Sequence, residues 1–163
     1  MVSWGAYEAE APELAALGQE RFDQAQLLLV GTLRRDGWPR ISPVEPVLVD
    51  GELELGMMWR STKALDLRRD SRLVVHNVVA DRNGSDGEFK VYGHAIEIFD
   101  EAPRDVYGAA LFERIGWRPE GDEWHLFRVD IVQVAYVCFD DGKQRIQTWR
   151  PGEPLRPPIE KTP

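Results

Sequence analysis

Two Asp-Gly pairs, Asp36-Gly37 and Asp50-Gly51, cut an apolar stretch of this chain into segments too short for ordinary helices. An Asp-Gly pair supplies the positive φ angles that a tight hairpin demands, so each pair directs the chain to reverse. Before the first turn, residues 26–33 are rich in leucine and valine and read as a buried strand. Residues 40–49 form the return strand. In 52–58, Leu53, Leu55 and Met57 alternate with Glu52, Glu54 and Gly56, which predicts one buried face. The expectation is a three-stranded antiparallel meander. Pro39 falls where that return strand begins, a place that tolerates a missing N–H, and Pro43 inside it marks an irregular strand.

The flanking chain extends the pattern. Residues 1–10 read as a loose lead-in. From Pro12, the apolar spacing of Leu14, Leu17 and Phe22 predicts a helix over 12–25, a lid for one end of a barrel. Ser61 can cap a helix running to about Arg69, with Leu65 and Ala64 turned inward. Strands are expected at 73–79 and 88–99 around a polar loop at 81–87, followed by a helix at 102–115. Alternation from 125 to 139 is the longest strand signal, and Asp140-Asp141-Gly142 turns it into a last strand near 143–149. The proline-rich tail, 151–163, should be extended and lie on its own surface or on a partner. No repeat or internal boundary interrupts 1–163, so one domain is expected. Seven or so antiparallel strands with two or three helices predict a closed or split β-barrel.

Composition narrows the function. The 163 residues are 43% apolar, enough for a real core, and the net charge of −8 argues against a nucleic-acid surface, which needs a basic field. Cys138 is the only cysteine, the start lacks a signal-peptide pattern, and no apolar run is long enough to span a membrane. A cytoplasmic protein without membrane contact is expected. His76, His94 and His125 lack ligand spacing, so no metal site is expected; His94 reads as a satisfied core or cleft residue, and His125 stands at a strand mouth.

The chemistry concentrates in two places. Ser61-Thr62-Lys63 opens a helix, whose first turn offers unpaired N–H groups and partial positive charge to an anion. Two hydroxyls add donors, Lys63 adds a full charge, and Arg60 can add another. Arg40 opens the return strand, and its planar fork suits two phosphate oxygens. Together they read as two halves of one phosphate site. Backbone of 41–44 and 56–58 would then flank a flat ring, with Gly56 leaving room for it. A capped helix with a solvated lysine is the alternative.

Gly31-Thr32, Asp36-Gly37-Trp38-Pro39-Arg40-Ile41-Ser42-Pro43-Val44, Ser61-Thr62-Lys63, Leu67 and Arg72-Leu73 together resemble the pyridoxamine 5′-phosphate oxidase-like superfamily. The resemblance follows element order over about residues 12–150, with its specific motifs in 27–77. It implies a mainly β fold with a few helices, an antiparallel split β-barrel of the FMN-binding type. By the same resemblance Arg40, Ser61 and Lys63 hold the FMN phosphate, with Thr62 beside them, while Ile41, Ser42 and Met57 line the flavin ring. It further implies a homodimer with the cofactor between barrels and a small-molecule substrate. Oxidases of that name end in a tryptophan followed by an arginine-leucine pair. Here the end reads Trp149-Arg150-Pro151-Gly152, so vitamin B6 oxidation does not follow.

Three readings of function stand side by side: an FMN-dependent oxidoreductase, a deazaflavin-dependent reductase, and a flavin or haem carrier without turnover. Arg34, Arg35, Arg68 and Arg69 could serve the longer anionic tail of a deazaflavin, or simply be solvated. No side chain is assigned as catalytic acid or base. Trp59, Trp117, Trp124 and Trp149 read either as barrel and interface filling or, for Trp149, as a cover over the partner's flavin.

Overall fold

The computed structural model describes residues 1–84 and 86–162. Ser85, within the expected 81–87 loop, and Pro163, at the end of the tail, lie outside the described residues. The elements run α1 (Trp4–Glu10), α2 (Pro12–Ala25), β1 (Leu28–Leu33), β2 (Pro39–Val44), β3 (Pro46–Val49), β4 (Glu52–Met58), α3 (Thr62–Arg69), β5 (Arg72–Asn77), β6 (Glu88–Ile98), α4 (Glu101–Ile115), β7 (Trp124–Asp140), β8 (Lys143–Trp149) and β9 (Ile159–Lys161).

The two Asp-Gly pairs turn the chain as expected, with Gly37 and Gly51 at positive φ. The meander does not form. β1 pairs with β2 and β3 with β4, but β2 and β3 do not pair with each other. The expected 40–49 strand is broken at Glu45, before Pro46, which has no N–H to continue a ladder. Hydrogen bonding follows the path β2-β1-β5-β6-β7-β4-β3. Its two ends, β2 and β3, are consecutive in the chain, so the sheet bends round on itself and leaves a seam at Glu45. The result is an antiparallel β-barrel that is split rather than closed.

The barrel interior is filled by Leu28, Val30, Leu53, Leu55, Val75, Val91 and their neighbours. Helix α2 closes one end, as expected: Phe22 meets Phe89 edge to face at 5.4 Å. Residues 1–10 are not a loose lead-in. Ser3 caps α1 by accepting from the Ala6 N–H at 3.1 Å, and Trp4 and Tyr7 are both buried. Burial of that much aromatic surface outweighs the helix's shortness.

A second, smaller core corrects another expectation. Helix α4 covers the outer face of β3, β4 and β7, enclosing Val47, Tyr107, Leu111, Trp124 and Leu126. Strand β4 is therefore covered on both faces, and Glu54 is buried with its carboxylate accepting from Arg128 Nη2 at 2.7 Å. In α3 the inward residues are Ala64, Asp66 and Leu67, whereas Leu65 is exposed. The described tail, 151–162, is exposed, and its Ile159–Lys161 segment adds a strand to β8.

Candidate functional site

Helix α3 is fastened to β2 at two points. Arg40 Nε donates to Asp66 Oδ2 at 2.7 Å, and Lys63 Nζ donates to the Pro43 carbonyl at 2.7 Å. The two fasteners lie three positions apart on each element, in opposite chain directions. The two halves read from the sequence thus meet along one β2–α3 seam.

Asp66 was not singled out by sequence reasoning, yet it anchors this seam. It is 4% exposed and also accepts from Thr32 Oγ1 at 3.2 Å and from Arg69 Nη2 at 3.1 Å. Burial alone would push its pKa up, but the hydrogen bonds from Arg40, Arg69 and Thr32 outweigh that and hold the carboxylate below its ordinary range. A lone acid one turn after Thr62 in an otherwise basic helix was the available signal. Arg69 also donates to the Leu33 carbonyl, Arg68 pairs with Glu97 at 3.0 Å, and Arg34 pairs with Asp36 at 2.8 Å.

The helix start behaves differently. Ser61 stands at the N-cap of α3 with non-helical backbone angles, but its side chain makes no capping bond. Its Oγ is buried and has no hydrogen-bond partner among the described residues. Thr62 beside it is exposed, and Lys63 is half-buried. Desolvation lowers the Lys63 pKa, partly offset by the Glu45 carboxylate.

Two cavities flank the seam. One, of about 320 Å³, is largely apolar, with Met57, Met58, Trp117 and Trp124 around Lys63 and Glu45. The other, about 350 Å³ and more open, is bounded by Arg34, Arg35, Asp36, Arg40 and Asp66. Lys63 and Arg40 therefore belong to different cavities. Met57 is buried, Ser42 half-buried and Ile41 exposed. The space over Gly56 is taken: the Tyr107 hydroxyl accepts the Gly56 N–H at 2.9 Å, and a Cβ on Gly56 would lie 2.3 Å from it.

Trp149 does not join these residues. It is buried in its own barrel, with Nε1 donating to Glu10 Oε2 at 3.1 Å and its ring 4.8 Å from that of Tyr7. His94 is exposed and bonded to Ser71 Oγ at 3.0 Å, so it is no core residue. His125 is fully buried, close behind the helix start. Among the described residues no group of three His, Cys, Asp or Glu side chains could hold a metal ion, and no helix is long and apolar enough to cross a membrane.

No protein-family model matches the chain, and no curated protein matches it. Solved structures do. PhzG from Burkholderia lata 383, in complex with tetrahydrophenazine-1-carboxylic acid, aligns over 94% of this chain and 93% of its own, at 12% identity and a TM-score of 0.68. A pyridoxamine 5′-phosphate oxidase-related, FMN-binding protein from Nostoc punctiforme covers 91% and 95%, at 16% identity and a TM-score of 0.64. This is the split-barrel fold of the pyridoxamine 5′-phosphate oxidase-like proteins. The haem storage protein HutZ from Vibrio cholerae is also similar, over 74% of this split barrel and 88% of its own chain, at 19% identity and a TM-score of 0.55. Identities this low speak for a shared fold and leave the ligand to the chemistry of the site.

Proposed function

We propose that this split barrel binds FMN non-covalently by its phosphate and is a flavin-dependent oxidoreductase for a small-molecule substrate, working as a homodimer. The observation that carries the reading is the Ser61 hydroxyl, buried at the start of α3 with no partner among the described residues. An unsatisfied buried polar group costs roughly 1–3 kcal/mol, a cost that a bound anion removes. A phosphate there accepts from Ser61 Oγ, from the open N–H groups of the first turn, and from the Lys63 donors not used by Pro43. Lys63, disfavoured as a desolvated cation, regains a counter-charge. Arg40 spends Nε on Asp66 and offers its terminal nitrogens from the far end of the seam.

Bound flavin supplies the electron and hydride chemistry. The protein's part is to hold the phosphate, to line the ring with Met57 and the backbone about Ile41 and Ser42, and to keep water from the apolar cavity. Thr62, exposed next to Ser61, is a further donor at the phosphate.

Titrating the purified protein with FMN, followed by flavin fluorescence, tests this. One FMN per chain is expected, and Lys63→Ala should weaken it roughly 10- to 150-fold, the equivalent of one charge-assisted hydrogen bond. Wild-type affinity in Lys63→Ala would refute the placement. Bound flavin that NAD(P)H cannot reduce at catalytic rates would leave a flavin or haem carrier.

The arginine-bounded cavity beside Arg40 favours a second reading, a deazaflavin coenzyme whose longer anionic tail passes Arg34 and Arg35. Competition between the two cofactors for the apo-protein separates them.

A further inference from the structure

Behind the start of α3 lies a line of polar groups that the phosphate reading leaves unexplained. His125, on β7, is 1% exposed and lies among aromatic rings. Trp59 stacks on one side of it at 4.7 Å and 12°, and Phe127 lies near-parallel at 6.0 Å. Both of its nitrogens are nevertheless committed. Nε2 accepts the backbone N–H of Arg60 at 3.1 Å, and Nδ1 lies 2.6 Å from Glu97 Oε1. Because Nε2 accepts, the ring proton sits on Nδ1 and is donated to Glu97. The other oxygen of Glu97 pairs with Arg68 Nε at 3.0 Å.

The two ends of this line land on the two ends of one helix. Arg68 belongs to the last turn of α3, and Arg60 immediately precedes Ser61, its N-cap. Arg60 has a φ of +51°, a left-handed backbone that residues with a Cβ adopt only under strain. It completes a turn in which the Ser61 N–H donates to the Met58 carbonyl at 3.0 Å. The bond from Arg60 to His125 opposes relaxation of that turn, and the turn sets where the Ser61 hydroxyl and the first open amides of α3 point.

We infer that His125 is a positioning residue for the anion site: with Glu97 and the solvent-facing Arg68 it forms a clamp that grips α3 at both ends and holds the strained Arg60 turn. The inference rests on the phosphate reading given above for its consequence, although the clamp itself has its own observable. A neutral ring with Nε2 free to accept is the required state, and the side chain touches no ligand atom.

Two substitutions separate positioning from filling. His125→Phe keeps an aromatic ring between Trp59 and Phe127 but removes the acceptor. His125→Gln places a carbonyl oxygen near the Nε2 position and restores it. FMN affinity should fall at least tenfold in His125→Phe and return to within threefold of wild type in His125→Gln. Amide hydrogen exchange at Arg60, read by ¹⁵N NMR, should accelerate at least tenfold in the first variant and not in the second. Wild-type FMN affinity in His125→Phe, or equal loss in both variants, overturns the inference. Should the wild-type protein take up no FMN, the phosphate reading fails by itself. The clamp is then judged by exchange alone, and equal Arg60 rates in all three proteins overturn it. Should His125→Phe not fold, Arg68→Gln at the solvent end serves instead, with faster Arg60 exchange upholding the clamp and unchanged exchange overturning it.

Discussion

Asp66 and Glu54 are both buried carboxylates facing arginine, yet their pKa values move in opposite directions. For Glu54, burial is the larger influence and Arg128 only partly offsets it, so the pKa is raised. For Asp66, donors arrive from three elements, Thr32 on β1, Arg40 on β2 and Arg69 on α3, and together they overcome burial. The number of charge-assisted donors decides which effect wins. A carboxylate whose folded pKa is depressed adds stability above its unfolded pKa and loses it as pH falls through the folded one. Asp66→Asn should therefore lower unfolding free energy at pH 7 by about 1–2 kcal/mol, the lower part of the range for charged hydrogen bonds because both arginines are partly exposed. The deficit should shrink as pH falls below about 4, where the carboxyl of the unfolded chain begins to protonate while the folded one still holds its charge. Urea denaturation of both proteins at pH 7 and pH 3.5 measures it, and a deficit that stays constant across that range contradicts the assignment.

At the scale of elements, the N-terminal helix and the last barrel strand explain each other. Trp149 ends β8 by entering the core beneath α1, where Glu10 accepts its indole N–H and Tyr7 packs on its ring. Trp149→Phe keeps an aromatic ring but removes that donor, so it should cost about 1 kcal/mol of stability and leave FMN affinity unchanged. A large loss of affinity at unchanged stability would return Trp149 to the cofactor. Local signals made most elements legible in the sequence: period-two alternation in 52–58, Pro12 at the start of α2, and the run of apolar residues in 125–139. What stayed hidden depends on contacts far apart in the chain. Residues 4–10 carry too few apolar positions to announce a helix, and the rings of Trp149, Phe22 and Phe89, distant in sequence, are among the groups that bury Trp4 and Tyr7. Glu54 read as solvent-facing because nothing nearby in sequence announces α4 as its cover. The Arg40 and Lys63 candidates came from short-range signals, a strand-opening arginine and a helix start, whereas the weight of Asp66 emerges where β1, β2 and α3 meet, and that of His125 where β6, β7 and the start of α3 meet.

For the molecule as a whole, several of the large exposed apolar side chains stand on the β1–β2 hairpin and at the turn between β4 and α3, beside the candidate site. Trp38, Ile41, Met58 and Trp59 are 69%, 71%, 79% and 48% exposed. Ile41 shares a face of β2 with Pro43, and Pro43 and Met58 border the same apolar cavity, so part of this surface is continuous. Isolated exposed apolar residues are ordinary, but a patch that rims a ligand cavity fits a surface which another molecule covers. A second copy of this chain fits the homodimer proposed above, because each copy would then shield the other's cavity from water. Met58→Glu places a charge on that surface without touching the barrel core, and its stability should stay within about 0.5 kcal/mol of wild type. Sedimentation velocity at micromolar concentration should show a dimer for wild type and a monomer for Met58→Glu. FMN affinity should fall at least tenfold in step, since a cofactor shared between two copies loses one wall when they part. A wild-type monomer that binds FMN tightly would place the whole cofactor site within one barrel. A Met58→Glu dimer with normal affinity would move the interface to another face, and with it the role of every exposed residue along the β2–α3 seam.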